Sequence, residues 1–196
     1  MRLLVLLLLA AFAYAEAAVA VYLDGTVDGT AVSLVQRALA DAEGRGAPLV
    51  VIINTYGGYL APMDQIVELL LNAEVPVYAY VPAGAKAVSA GAFVAMAADK
   101  IYMDPTAQIG ACEPRPPDPK VVNYATARMR SLAETKWNDS RIDVAASFVT
   151  QNKVLTGREA VELGMAEPPP RWVFAAEYRR DPLAQLLTAL SDPAIL

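Results

Sequence analysis

The chain reads as one α/β domain on a mostly parallel sheet, and three observations carry that expectation. Short apolar, β-branched runs alternate with segments of helical period, the rhythm of repeated strand–helix–strand units. Leu49–Asn54 is apolar almost throughout, as in a parallel strand covered on both faces. Two clusters of small residues, Asn54-Thr-Tyr-Gly-Gly58 and Ala85-Lys-Ala-Val-Ser-Ala-Gly91, follow strand-like runs. Carboxyl ends of strands are where open α/β sheets place their sites, so the two clusters are expected to converge on one pocket.

Each element follows in order. Ala17–Leu23 ends in Asp24-Gly25 and reads as a strand and a turn. Thr30 is the expected cap of a helix over Ala31–Glu43, with Val35, Leu39 and Ala42 on one face. After the strand Leu49–Asn54, the stretch Pro62–Asn72 carries Met63, Ile66, Val67 and Leu70 at helical spacing. Val75–Val81 is the next strand, Ser89 opens a small-residue helix to about Ala98, and Lys100–Met103 is a further short strand. Cys112–Pro119 has prolines at 114, 116, 117 and 119, so it reads as an extended loop. Following the site in sequence, it is either a rim over the substrate or a plain surface connection. Helices are expected from about Lys120 to Trp137 and from Ser140 to Thr150. Thr156-Gly-Arg-Glu159 is a capping box that opens a last short helix, stopping at Gly164.

The ends and the composition bound the function. Arg2, the apolar stretch Leu3–Phe12 and Ala13-Tyr-Ala15 have the order of a secretory leader, which puts residues 1–15 outside the fold. An uncleaved anchor is the alternative; either way the rest of the chain is expected to be extracytoplasmic. The body is then residues 16–167, followed by a tail, 168–196. The tail's last stretch, from Pro182, is apolar and meets a Ser191-Asp-Pro193 breaker. It reads as a terminal amphipathic helix or as the approach to a membrane segment. A net charge of −5 with no basic stripe argues against nucleic acid as a partner. One cysteine and no histidine leave no disulfide and no ordinary zinc site, and no cofactor or metal is expected.

Ser89 is the candidate nucleophile. A serine among small residues at a strand-to-helix turn is how several hydrolases expose a hydroxyl. Its plainer reading is a helix N-cap. Gly57-Gly58 is either a simple turn or a supplier of N–H groups to an oxyanion. Without histidine no Ser-His-Asp triad is available, and lysine is the usual replacement base. Cys112 reads as a small buried side chain, since nothing basic stands near it in sequence to activate it.

These segments together resemble the NfeD family of membrane-associated serine proteases, relatives of the Clp protease and the signal peptide peptidases. Alongside the two glycine- and serine-containing clusters, the likeness rests on Ile109-Gly-Ala-Cys112, Asn123-Tyr124, Arg130-Ser-Leu-Ala133 and Leu155–Gly164. It runs from about Ala18 to Glu167. The resemblance implies a Clp/crotonase-type spiral of ββα units, a Ser-Lys dyad, and cleavage of hydrophobic segments in stomatin-like membrane proteins. It also implies a homodimer, and tips the C-terminal stretch towards the approach to a membrane segment. Carried over, Ser89 matches the nucleophile, while Gly58 and the N–H of Ala90, with Gly57 beside them, match the oxyanion donors. The family lysine falls at Arg130, which stays protonated and cannot serve as a base. Lys120, beside the Pro-rich loop, is the leading substitute. Lys136 and Lys86 follow, Lys100 and Lys153 read as surface charges, and the absence of any base is a further alternative. The rival function is a non-catalytic scaffold that binds and organises a stomatin-like partner. Acyl-CoA chemistry on the same fold is a weaker third reading.

Overall fold

The computed structural model describes residues 17–181. The expected leader over 1–15 and the apolar stretch from Pro182 lie outside the described residues. The chain opens with β1 (Ala18–Asp24), α1 (Gly29–Arg45), β2 (Leu49–Asn54) and α2 (Leu60–Leu71). Then come β3 (Val77–Val81), β4 (Lys86–Val88), α3 (Ala90–Ala97), β5 (Lys100–Met103) and β6 (Gln108–Gly110). After the Pro-rich loop follow α4 (Pro119–Glu134), α5 (Arg141–Thr150), β7 (Val154–Thr156), α6 (Gly157–Glu162) and β8 (Phe174–Tyr178).

β5, β3, β2, β1 and β8 form an all-parallel sheet in that order. A smaller sheet, β4-β6-β7, stands at its end and pairs β6 with β7 antiparallel. The alternation of β1 and β2 divides the side chains between two faces. Val19, Val21, Leu23, Leu49, Val51 and Ile53 pack with the buried faces of α1, α2 and α3 in the main core. Ala18, Ala20, Val50 and Ile52 face the other way, towards Tyr22, Tyr78, Tyr80, Trp172 and Phe174. Trp172 closes that second face edge-on to Tyr102 at 5.4 Å and stacked on Phe174 at 6.3 Å. The stretch around Leu49–Asn54 is thus apolar on both sides because both sides are covered.

Several boundaries differ from the sequence reading. The α1 cap is Asp28, not Thr30, its carboxylate accepting from the Ala31 N–H at 3.0 Å. Arg180 pairs with the same carboxylate at 2.8 Å, so one aspartate caps a helix and ties down the chain after β8. α2 starts at Leu60, with Pro62 in its first turn, where a missing N–H costs nothing. The capping box at Thr156–Glu159 is formed on both sides. The three-residue strands β4, β6 and β7 are too short to carry a period, and pairing alone makes them strands.

On the aromatic face the Tyr80 hydroxyl donates to Asp104 Oδ2 at 2.7 Å. Burial and that carboxylate push the Tyr80 pKa up to about 12. An unfolded tyrosine titrates near pH 10. Between these values the folded protein keeps a proton that the unfolded chain gives up, so stability falls as pH rises through the window. Tyr80→Phe is expected to reduce that decline when urea midpoints at about pH 9 and about pH 11 are compared. An unaltered decline would remove Tyr80 from the account.

Candidate active site

The two small-residue clusters meet where β2 and β4 end. The Thr55 N–H donates to Lys86 O at 2.7 Å, and the Val88 N–H to Thr55 O at 3.1 Å. This parallel bridge lays the turn after Asn54 against the strand that delivers Ser89. Thr55 is buried, and its Oγ1 accepts from the Gly57 N–H at 2.9 Å while donating to Gly25 O. Gly91 lets the helix come down on this anchor, for a Cβ there would lie 2.5 Å from Thr55 Cγ2.

Ser89 joins β4 to α3 with φ 54° and ψ −118°. An L residue held there costs about 1–3 kcal/mol, which the surroundings must supply. They do so through the backbone: the Ser89 N–H donates to Gly110 O at 2.9 Å, and the Ala92 N–H donates to Ser89 O at 2.9 Å. Ser89 occupies the N-cap position, yet its hydroxyl makes no cap bond. The capping role is therefore set aside.

Gly57 faces it across the turn. A Cβ on Gly57 would lie 2.7 Å from Ser89 Cβ, 3.1 Å from Ser89 Oγ and 3.5 Å from Ala90 N. Only a glycine lets that backbone, at φ 124°, lie against the serine. Gly58 is equally constrained, because a Cβ there would lie 2.2 Å from Val27 O. Val27 bonds the residues on either side, its N–H donating to Gly57 O and its C=O accepting from the Tyr59 N–H, both at 2.9 Å. The N–H of Gly58, and that of Ala90 at the start of α3, have no hydrogen-bond partner among the described residues. Unpaired N–H groups beside the half-buried Ser89 are what an acyl-transfer oxyanion requires. Little strand edge is left at Gly58-Tyr59-Leu60 for an extended peptide to pair with. Tyr59 spends its N–H on Val27, and Leu60 already belongs to α2.

The cleft over Ser89 has a volume of about 590 Å³. Tyr56, Tyr59, Leu60 and Met63 line one side and Ala111–Arg115 another, with Val121 and Ala125 of α4 between. The Pro-rich loop is therefore a wall of the cleft, at least as far as Arg115. Cys112 is buried in it, its Sγ directed at Gly110 O and Ser89 O at 3.4 and 3.6 Å. Burial pushes its thiol pKa up, which keeps it protonated and unreactive.

The basic residues separate clearly. Lys136 donates to Ala98 O beyond the far end of α3, which spans eight residues or about 12 Å from the Ser89 end. Burial lowers its pKa, against the pull of Asp99, but it lines a different cavity. Lys86 Nζ stands 5.2 Å from the centre of the Tyr56 ring, at the cleft mouth. Arg130 pairs with Asp143 at 2.8 Å. It follows the cleft-lining Val121 by nine residues on α4, about 13.5 Å along the axis and on the opposite face. Lys120 is exposed in the first turn of α4, next to Val121.

Thr55, Asn152 and Ala111 belong to the site's support and were not foreseen in these roles. Ala111 and Asn152 both have φ 50°, and Asn152 Oδ1 accepts from the Glu113 N–H at 3.2 Å. The position of Thr55 inside Asn54–Gly58 was a usable signal; nothing in the sequence marked Asn152.

A bent serine at a strand end, set against a double-glycine turn over an apolar cleft, defines a protease-type α/β domain. The chain belongs to the NfeD1b N-terminal domain family, whose profile matches residues 18–165. It is similar to Membrane-bound protease PH1510 of Pyrococcus horikoshii, 34% identical over 143 residues, 67% of this chain and 32% of that protein. Membrane protein NfeD1b of Bacillus subtilis is 31% identical over 152 residues, 69% of this chain and 34% of that protein. The chain thus spans about a third of these relatives. Among solved structures, the 1510-N membrane protease specific for a stomatin homolog from Pyrococcus horikoshii superposes with a TM-score of 0.70 at 25% identity. That match covers 88% of this chain and 97% of the other. A 1510-N membrane-bound stomatin-specific protease solved with a substrate peptide gives a TM-score of 0.67 at 28% identity, covering 90% and 81%. The expected family and the Clp/crotonase-type α/β fold are borne out. No helix among the described residues is long and apolar enough to cross a membrane.

Proposed function

We propose that this domain is a serine endopeptidase of the Ser-Lys type, cleaving hydrophobic segments of stomatin-like membrane proteins on the extracytoplasmic side. The observation that carries the reading is Ser89: strained, uncapped, and adjacent to two unpaired N–H groups. Ser89 Oγ attacks the peptide carbonyl carbon as a neutral lysine takes the hydroxyl proton. The oxyanion is held by the N–H groups of Gly58 and Ala90, across the close approach that Gly57 permits. The lysine returns the proton to the leaving amine, and water then releases the acyl group by the same path. A homodimer is part of the proposal by family likeness.

Lys120 is the proposed base. The Tyr124 hydroxyl donates to Asp64 at 2.7 Å, and Arg128 pairs with Glu68 one turn further along both helices. α2 and α4 therefore advance in step, and one turn earlier Lys120 falls level with Leu60, a cleft residue. Extension of a four-carbon side chain from there towards Ser89 is what the mechanism requires. Lys120→Ala is expected to lower kcat on a hydrophobic, proline-containing peptide by about 10²–10⁴-fold, the usual worth of a general base. It is also expected to abolish the rise of rate with pH that a lysine base imposes, because only the neutral amine accepts a proton. Unchanged kinetics would remove Lys120.

One observation favours the scaffold reading. The serine and lysine mutated in the 1510-N structures are as far apart in sequence as Ser89 and Arg130 are here. Arginine cannot replace that lysine, and Arg130 is engaged with Asp143. Wild-type protein that binds the peptide and never cuts it, between about pH 6 and about pH 10, would establish the scaffold.

A further inference from the structure

Thr55 and Ser147 are the polar side chains buried among the described residues. Ser147 bonds back to Val144 within its own helix, whereas Thr55 joins separate segments of the site. Its backbone pairs with Lys86 and Val88 of β4, the strand that delivers Ser89. Its hydroxyl accepts from the Gly57 N–H at 2.9 Å and donates to Gly25 O, which ties the double-glycine turn to the turn after β1. Its methyl supports α3, for a Cβ on Gly91 would stand 2.5 Å from Thr55 Cγ2. Gly91 adjoins Ala90 and Gly57 adjoins Gly58, the two residues whose N–H groups stand unpaired beside Ser89. Thr55 itself does not line the cleft.

We propose that Thr55 is a positioning residue for peptide cleavage, its hydroxyl setting the Gly58 N–H and its methyl the Ala90 N–H, so that both donors address one oxyanion. The role presupposes that Ser89 is the nucleophile. Gly57 is held at its N–H by Thr55 Oγ1 and at its carbonyl by the Val27 N–H. A trans peptide points its N–H away from the carbonyl it carries, so the Gly58 N–H faces away from Val27. A β-branched residue is also stiff at χ1. Packing of Cγ2 against Gly91 therefore fixes the direction of Oγ1 as well, and one rotamer serves both contacts. Serine would keep the hydroxyl and lose that lock; valine would keep the shape and leave the Gly57 N–H without its acceptor.

The test measures kcat and KM on a hydrophobic, proline-containing peptide, and follows the eleven glycine amides in full-length protein labelled with ¹⁵N-glycine. Thr55→Val is expected to lower kcat about 10²-fold, the usual worth of one oxyanion donor, with KM within about twofold of wild type. It should move the Gly57 and Gly58 signals more than that of Gly91. Thr55→Ser is expected to keep kcat within about tenfold of wild type and to move chiefly the Gly91 signal. Equal losses of kcat in the two variants, or a loss confined to KM, would overturn the role, since Thr55 would then serve the fold or the cleft walls. Should Thr55→Val fold poorly, Gly91→Ala approaches the same contact from α3. Its methyl meets Thr55 Cγ2, so kcat should fall, and should recover when Thr55→Ser is added. A double variant no more active than Gly91→Ala alone would overturn the part given to the methyl. Wild-type protein that never cuts would instead sink the protease reading. Gly57 and Gly58 signals that stay in place in Thr55→Val would then overturn the positioning by themselves.

Discussion

If the proposed mechanism holds, Ser89→Ala is expected to lower peptide cleavage on the order of 10⁴-fold or more, the scale seen when a covalent nucleophile is removed. The fold is expected to survive, because among the described residues the Ser89 hydroxyl makes no hydrogen bond that alanine would lose. The backbone strain at φ 54° is the same for either residue, so the melting temperature should stay within a few degrees of wild type. Peptide binding should persist, since the cleft walls are untouched. The measurement is a single-turnover assay paired with a melt. Residual cleavage near the wild-type rate in a well-folded variant would sink the nucleophile, and with it the proposed enzyme.

Gly57→Ala is the second large effect, and it acts on fold and site together. The new methyl lies 2.7 Å from Ser89 Cβ, so either the turn or the serine must move. The φ of 124° adds a conformation that alanine rarely adopts. A destabilisation of about 3 kcal/mol is expected, in the range of strain combined with overpacking. The mechanism makes a specific non-additivity claim. Ser89→Gly removes the atoms that clash and suits a positive φ, so the double variant should be more stable than Gly57→Ala alone. Urea midpoints of the four proteins close the cycle. Strict additivity would show that the clash does not govern the site.

Much of the architecture was legible because it rests on local pattern. The apolar runs at Leu49–Asn54 and Lys100–Met103, the helical stripe at Met63, Ile66, Val67 and Leu70, and the Thr156–Glu159 box all state their structure in a few neighbouring residues. What escaped was whatever depends on a distant partner. β8 is a strand because it lies beside β1, and β6 because it lies between β4 and β7. Asp28 displaces Thr30 as the cap, and Arg180, far along the chain, pairs with that same aspartate.

At the site the division is sharper. The absence of histidine excluded a Ser-His-Asp triad at once, and small residues around Ser89 and at Gly57-Gly58 marked two backbones able to approach each other. Those are statements about residue type, which the chain states directly. That the serine is bent to φ 54°, that Thr55 anchors the opposing turn, and that Arg130 points away towards Asp143 are statements about where chains cross. A general base is defined by distance to a hydroxyl rather than by spacing along the chain. Whether any lysine reaches Ser89 is therefore a matter of packing, which spacing along the chain does not fix.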